Sequence, residues 1–143
     1  MQITEHKEHL FDADPTNYLI NCISSDFVMG SGISISFRVK GVEQYLKRTY
    51  PTTWNGSGYA LFSPISGHAG VYNLIVKSRY YHKPTYETMK EALLDLKQHI
   101  PDDCRLAMSH IGSGKDKLEW DQMKNIITDI FSDTNVNISI MDS

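Results

Sequence analysis

The stretch Tyr18-Leu19-Ile20-Asn21-Cys22-Ile23 runs through Ser24-Ser25-Asp26 into Met29-Gly30-Ser31-Gly32-Ile33. Its first six residues are a short run rich in β-branched and aromatic side chains, the pattern of a strand buried on both faces. From Ile33 to about Tyr50 the period becomes helical: Ile33 and Phe37, then Val42 and Leu46, share a stripe, with Gly41 marking a break and Pro51 an end. Strand, small-residue loop and helix in that order form the repeating unit of an α/β fold. The loop then lies at the carboxyl end of the strand. There glycine lets the backbone approach a ligand or take positive φ, and a helix N-terminus offers free amides to a phosphate. Alone, Gly30 and Gly32 read first as a tight turn, and only the second loop changes that.

The same unit recurs near the C-terminus. Arg105 to Ser109 reads as a strand, His110-Ile111-Gly112-Ser113-Gly114 as the loop, and Trp120, Met123, Ile127 and Ile130 as one face of a helix. Between the two units, Tyr59 to Phe62 and Val71 to Val76 read as strands, and residues 56 to 70 hold most of the turn formers. Met89, Leu93, Leu96 and Ile100 mark another helix, opened at Pro84-Thr85, where the Thr85 hydroxyl caps amides and Glu87 complements the dipole, and stopped by Pro101. Val136, Ile138 and Ile140 alternate with polar residues, as in a half-exposed strand. This order predicts an α/β fold with a mixed sheet sandwiched by helices. Both glycine loops then open at one sheet edge, where ligands of such folds sit, and together they could grip the two halves of a diphosphate. Neither loop has the lysine and serine spacing of a P-loop, which argues against ATPase-type chemistry.

At 143 residues and 41% hydrophobic composition the chain suits one core, so residues 1–143 are expected to form a single domain. A net charge of -3 with scattered basic residues argues against nonspecific nucleic-acid binding. Cys22 and Cys104, each in or beside an apolar run, read as free buried thiols of a reducing compartment. The N-terminus is polar and no apolar run reaches the length of a membrane span, so the expected protein is soluble and cytoplasmic, with no membrane association. The six histidines lack metal-ligand spacing; no metal and no cofactor are expected.

Two charged residues stand out by position. Lys77 closes an apolar strand, where a cation is costly unless exposed, paired or used; Asp116 lies two residues past Gly114 on the loop before a helix. An amine beside a carboxylate can attack a carbonyl or anomeric carbon with acid–base assistance. The plain alternative is a surface ion pair. His82, at a helix entrance, is assigned a local hydrogen bond, and Tyr80 and Tyr81 read as pocket walls or as packing.

Four stretches together resemble a macro domain of the branch that contains the terminal ADP-ribose protein glycohydrolase, with antitoxins that remove ADP-ribose from DNA among its relatives. They are Asn21-Cys22-Ile23-Ser24 with Met29-Gly30-Ser31-Gly32-Ile33; Leu74-Ile75-Val76-Lys77; His82-Lys83-Pro84-Thr85-Tyr86-Glu87; and Ile111-Gly112-Ser113-Gly114-Lys115-Asp116-Lys117-Leu118-Glu119-Trp120. The resemblance implies a three-layer α/β/α sandwich and a monomer whose partner is ADP-ribose or an ADP-ribosylated protein or nucleic acid. It implies that Gly30 to Ile33 and Gly112 to Lys115 hold the diphosphate and distal ribose through backbone amides. Leu10, Ser24, Met29, Ile111 and Met141 complete the implied ligand site. Lys77 matches a nucleophile that attacks the anomeric carbon of the distal ribose, and Asp116 the aspartate that opens the linkage and releases the lysyl adduct. The implied activity is hydrolysis of an ADP-ribosyl linkage to a glutamate ester, another oxygen or a nucleobase. Alternatives are dephosphorylation of ADP-ribose 1″-phosphate and noncatalytic binding of an ADP-ribose-derived nucleotide. The sequence departs from the family at the adenine end. His9 stands where an aspartate is common, leaving adenine to backbone groups, to Asp12 or to an altered ligand, and Met141 replaces an aromatic residue.

Overall fold

A computed structural model describes residues 1–51 and 56–143. Six strands and four α-helices alternate along the chain: β1 (Gln2–His9), β2 (Tyr18–Ser24), α1 (Ser34–Val39), α2 (Val42–Thr49), β3 (Tyr59–Ser63), β4 (Gly70–Lys77), α3 (Tyr86–His99), β5 (Arg105–Met108), α4 (Trp120–Phe131) and β6 (Asn137–Asp142), with a short 3-10 turn at Leu10–Asp12. The strands form one sheet in the order β1-β6-β5-β2-β4-β3. Every pairing is parallel except β3 with β4. The expected mixed sheet is therefore parallel with one antiparallel edge.

Alternation along the central strands divides their side chains between two cores. Ile20, Leu74, Val76, Leu106, Met108, Ile138 and Ile140 face α3 and α4, meeting Met89, Leu93, Met123 and Ile127. Leu19, Ile23, Val71, Ile75, Ala107 and Met141 face the other way, against Phe37 of α1 and Val42 and Leu46 of α2. The result is the three-layer α/β/α sandwich. Helix α3 starts where Thr85 predicts, its hydroxyl accepting from the amide of Thr88 at 3.1 Å while the Thr88 hydroxyl accepts from the amide of Thr85 at 3.0 Å. Gly41, at φ 91°, separates α1 from α2, so the single interrupted helix expected over this stretch is two.

Two elements depart from the sequence reading. Strand β1 has no counterpart in the periodic pattern: it pairs only with β6, and nearly all its side chains are exposed, so no alternation was imposed on it. Strand β6 is interior to the sheet, between β1 and β5. Its half-exposed character holds at Asn137 and Ser139, but Met141 on the same face is 4% exposed.

A buried polar chain crosses the sheet. Ser34 at the start of α1 donates to Asn21 Oδ1 at 3.1 Å, Asn21 Nδ2 donates to Asn73 Oδ1 at 3.0 Å, and Asn73 Nδ2 donates to the carbonyl of Leu61 at 3.1 Å. Both asparagines are fully buried. Each buried amide finds a partner, as burial of polar groups demands, and the chain pins the exit of the first glycine loop to the sheet.

Candidate active site

Parallel strands β2, β4 and β5 end on the same side of the sheet, and a crevice of about 580 Å³ opens there. Ser24 and the loop Gly30 to Ser34 form one wall; Ile111, Gly112, Gly114, Lys115 and Asp116 form the facing one. Each wall presents backbone. Among the described residues, the amides of Ser31, Gly32 and Ile33 and those of Gly112, Gly114, Lys115 and Asp116 find no backbone acceptor. Two facing rows of free amides favour an anion between them.

Positive φ occurs at Phe27 (60°) and Gly32 (59°) in the first loop and at Gly112 (79°) and Lys117 (60°) in the second. The second loop is closed on itself: the Ser113 amide and hydroxyl donate to the carbonyl of His110 at 3.1 and 2.7 Å, and the Leu118 amide donates to the carbonyl of Gly112 at 2.8 Å. These turns aim the chain so that Asp116 returns over the end of β4. There its Oδ1 lies 3.6 Å from Lys77 Nζ, with the two side chains 23% and 17% exposed. An amine and a carboxylate from distant parts of the chain thus meet inside a crevice rather than on the open surface.

Beneath them lies Cys22, half-buried and lining the crevice. Burial pushes its thiol up to about 12, helped by the Asp116 carboxylate and opposed by the Lys77 ammonium. It is a protonated thiol at neutral pH, not a second nucleophile. At the entrance of the first loop, burial works to raise the Asp26 carboxyl, but hydrogen bonds from the Ser24 hydroxyl and the amides of Tyr80 (2.9 Å) and Val28 (3.2 Å) outweigh it and leave the group below its ordinary value. Asp26 thereby ties the end of β2 to the segment after β4. Among the described residues no three His, Cys, Asp or Glu side chains are grouped as a metal site.

No protein-family model matches the chain. It is 35% identical over 143 residues to "ADP-ribose glycohydrolase OARD1" of Bos taurus, spanning 97% of this chain and 90% of the relative, and 34% identical over the same shares to the Homo sapiens protein of that name. The chain belongs to the macrodomain family. Among solved structures, this macrodomain is similar to the macrodomain of Mycobacterium tuberculosis DarG, with a TM-score of 0.82, 22% identity, and coverage of 99% of this chain and 98% of that one. It is also similar to Thermosipho africanus DarTG in complex with ADP-ribose, at a TM-score of 0.76 and 12% identity, covering 100% of this chain and 42% of that one. At these identities the structural likeness is one of fold.

Of the site residues expected from the sequence, the macrodomain brings Lys77, Asp116, Ser24, Gly30, Ser31, Gly32, Ile33, Ile111, Gly112, Gly114 and Lys115 together on the crevice. Ser113 instead turns back to His110. Leu10, Met29 and Met141 lie in the core beside α1 and α2 and do not line it. His9 is occupied locally, its Nδ1 accepting from the amide of Phe11 at 3.1 Å as the cap of the 3-10 turn.

The crevice also includes residues to which the sequence attached no ligand role. Tyr80 and Tyr81, left open between wall and packing, are walls: they are 58% and 67% exposed and stand edge to face with ring centroids 5.3 Å apart. His82 lines the crevice too, its ring 4.8 Å from that of Tyr81, while its backbone amide donates to the carbonyl of Arg79 at 3.0 Å. Lys83 Nζ donates to the carbonyl of Lys115 at 2.9 Å, and the Tyr86 hydroxyl accepts from the amide of Glu119 at 2.8 Å. The signal for this was available: the two most distinctive strings of the sequence, at 82–87 and 111–120, are bonded to each other.

Proposed function

We propose that this macrodomain binds ADP-ribose in the crevice and hydrolyses an ADP-ribosyl linkage to a glutamate ester, another oxygen or a nucleobase, with Lys77 as nucleophile and Asp116 as its acid–base partner. The observation that carries the reading is the 3.6 Å Lys77–Asp116 pair set between two rows of free amides. The amides suit a diphosphate, and the pair suits the sugar carbon that a diphosphate bound there would deliver. Kinship with the named glycohydrolases at 35% and 34% identity supports the same activity.

The neutral Lys77 amine supplies the attacking lone pair, and Asp116 is placed to assist opening of the linkage and then to take the proton from the water that releases the adduct. Attack on the anomeric carbon then forms a C–N bond as the bond to the acceptor breaks, and the acceptor leaves with the electron pair. Water hydrolyses the lysyl adduct, returning the amine and free ADP-ribose. The free thiols Cys22 and Cys104 suit a cytoplasmic enzyme, and one sheet with a core on each face suits a monomer acting as a single domain over 1–143.

The test is release of ADP-ribose from ADP-ribosylated glutamate peptides and from ADP-ribosylated single-stranded DNA. Lys77→Ala is expected to abolish release while retaining ADP-ribose binding, and Asp116→Ala to accumulate a mass increase of one ADP-ribose on Lys77. Binding without release from either substrate by the intact protein would refute the hydrolase reading.

A further inference from the structure

The loop that carries Asp116 is fastened at its apex by Lys83 and at its exit by Tyr86. Its entrance, at His110, is fastened by something else. His110 Nε2 lies 3.6 Å from Oε1 of Glu5, and the other oxygen of that carboxylate accepts from Lys124 of α4 at 2.9 Å. The imidazole stands edge to face on Trp120, the first residue of α4, at 4.8 Å between centroids. The exposed carboxylate of Glu5 in β1 therefore meets both the second loop and α4, each more than a hundred residues away along the chain. The Lys124 ammonium bonded to it holds that carboxyl below its ordinary value, so Glu5 is charged at neutral pH.

His110 has a double role in the loop. The residue lines the crevice, and its carbonyl takes both hydrogen bonds from Ser113 that close the first turn. A shift of His110 moves that turn, and with it Gly112 and the amides that follow. The edge strand β1 adds little to either core, its side chains being nearly all exposed, yet it supplies the group that meets His110.

We infer that Glu5 is a positioning residue of the site: β1 acts as a strap that sets the second glycine loop through His110. The ligand assigned to that loop rests on the function proposed above, whereas the strap itself is a property of the free protein. Two measurements separate them. Hydrogen exchange of the unliganded protein reads the loop directly. In Glu5→Gln the amides of Ser113, Lys117 and Leu118, each bonded within the loop, exchange faster than in the intact protein and than in Glu8→Gln on the same strand. Unchanged protection overturns the inference.

Affinity for ADP-ribose reads the consequence. Glu5→Gln and His110→Gln each weaken binding by roughly three- to fivefold, the size expected for one partly exposed polar side-chain contact. The double variant weakens it no further than either alone, because both remove one interaction. Losses that multiply would mean that the two residues act independently and would also overturn the strap. If the intact protein does not bind ADP-ribose, the function proposal fails, and the exchange comparison still decides the strap: accelerated exchange supports it and unchanged exchange refutes it.

Discussion

At the scale of single residues, the two glycines of the second loop serve different ends. Gly112 has φ 79°, and a Cβ there would lie 3.1 Å from the Leu118 side chain, whereas Gly114 is outside the left-handed region and a Cβ on it would meet nothing within 4 Å. Gly112→Ala is therefore expected to cost about 1–2 kcal/mol of stability through backbone strain, with affinity for ADP-ribose falling as well. Gly114→Ala should melt with the intact protein and lose affinity alone, since its methyl group enters space that a ligand would use. Thermal melts and calorimetry on both variants check the contrast. Cys22 makes a second residue-scale prediction. Burial favours the neutral thiol and so raises its pKa, from 9.0 to about 12. The thiolate needed for alkylation is then scarce at pH 8 and grows about tenfold per pH unit. Labelling of folded protein by iodoacetamide should keep rising past pH 9, where an ordinary thiol levels off. Mass spectrometry of Cys22 across pH 7–10 reads this directly, and a plateau near 9 would contradict the burial.

At the scale of elements, the start of one helix fastens the start of another. Helix α4 begins at Trp120, and its Glu119 cap makes no side-chain capping bond. The Tyr86 hydroxyl at the head of α3 takes the Glu119 amide instead, so one helix start caps another. Tyr86→Phe removes that acceptor and is expected to lower unfolding free energy by about 1 kcal/mol, measured by urea titration, with turnover falling because Asp116 lies just ahead of the released amide. Unchanged stability would mean that water replaces the hydroxyl without loss. The residues of α3 and α4 that face the core were legible from their spacing, since a stripe at helical period is imposed by burial against the sheet. The bond between their starts was not, because a tyrosine hydroxyl carries no periodic signal.

At the scale of the whole molecule, the two cores carry different duties. Phe37 belongs to the core under α1 and Leu93 to the core under α3, and both are fully buried. Leu93→Ala should cost about 3 kcal/mol and Phe37→Ala about 4 kcal/mol, large fractions of a typical total of about 5–15 kcal/mol. Only Phe37→Ala should also weaken ADP-ribose binding in the folded fraction, because α1 continues the first glycine loop; denaturant titration paired with calorimetry distinguishes the two. By itself the sequence determined the alternation of strands and helices, the sandwich, both glycine loops and the candidacy of Lys77 and Asp116. Each of these rests on local pattern: periodicity, turn-forming residues and strings recognisable over a few positions. Tertiary structure alone decided the rest. It inserted β6 between β1 and β5, enlisted the polar edge strand β1, placed Leu10, Met29 and Met141 in the core, and brought Asp116 within 3.6 Å of Lys77. Strand order and the meeting of residues 39 positions apart depend on which faces bury together, a property of the packed molecule that no short stretch of sequence contains.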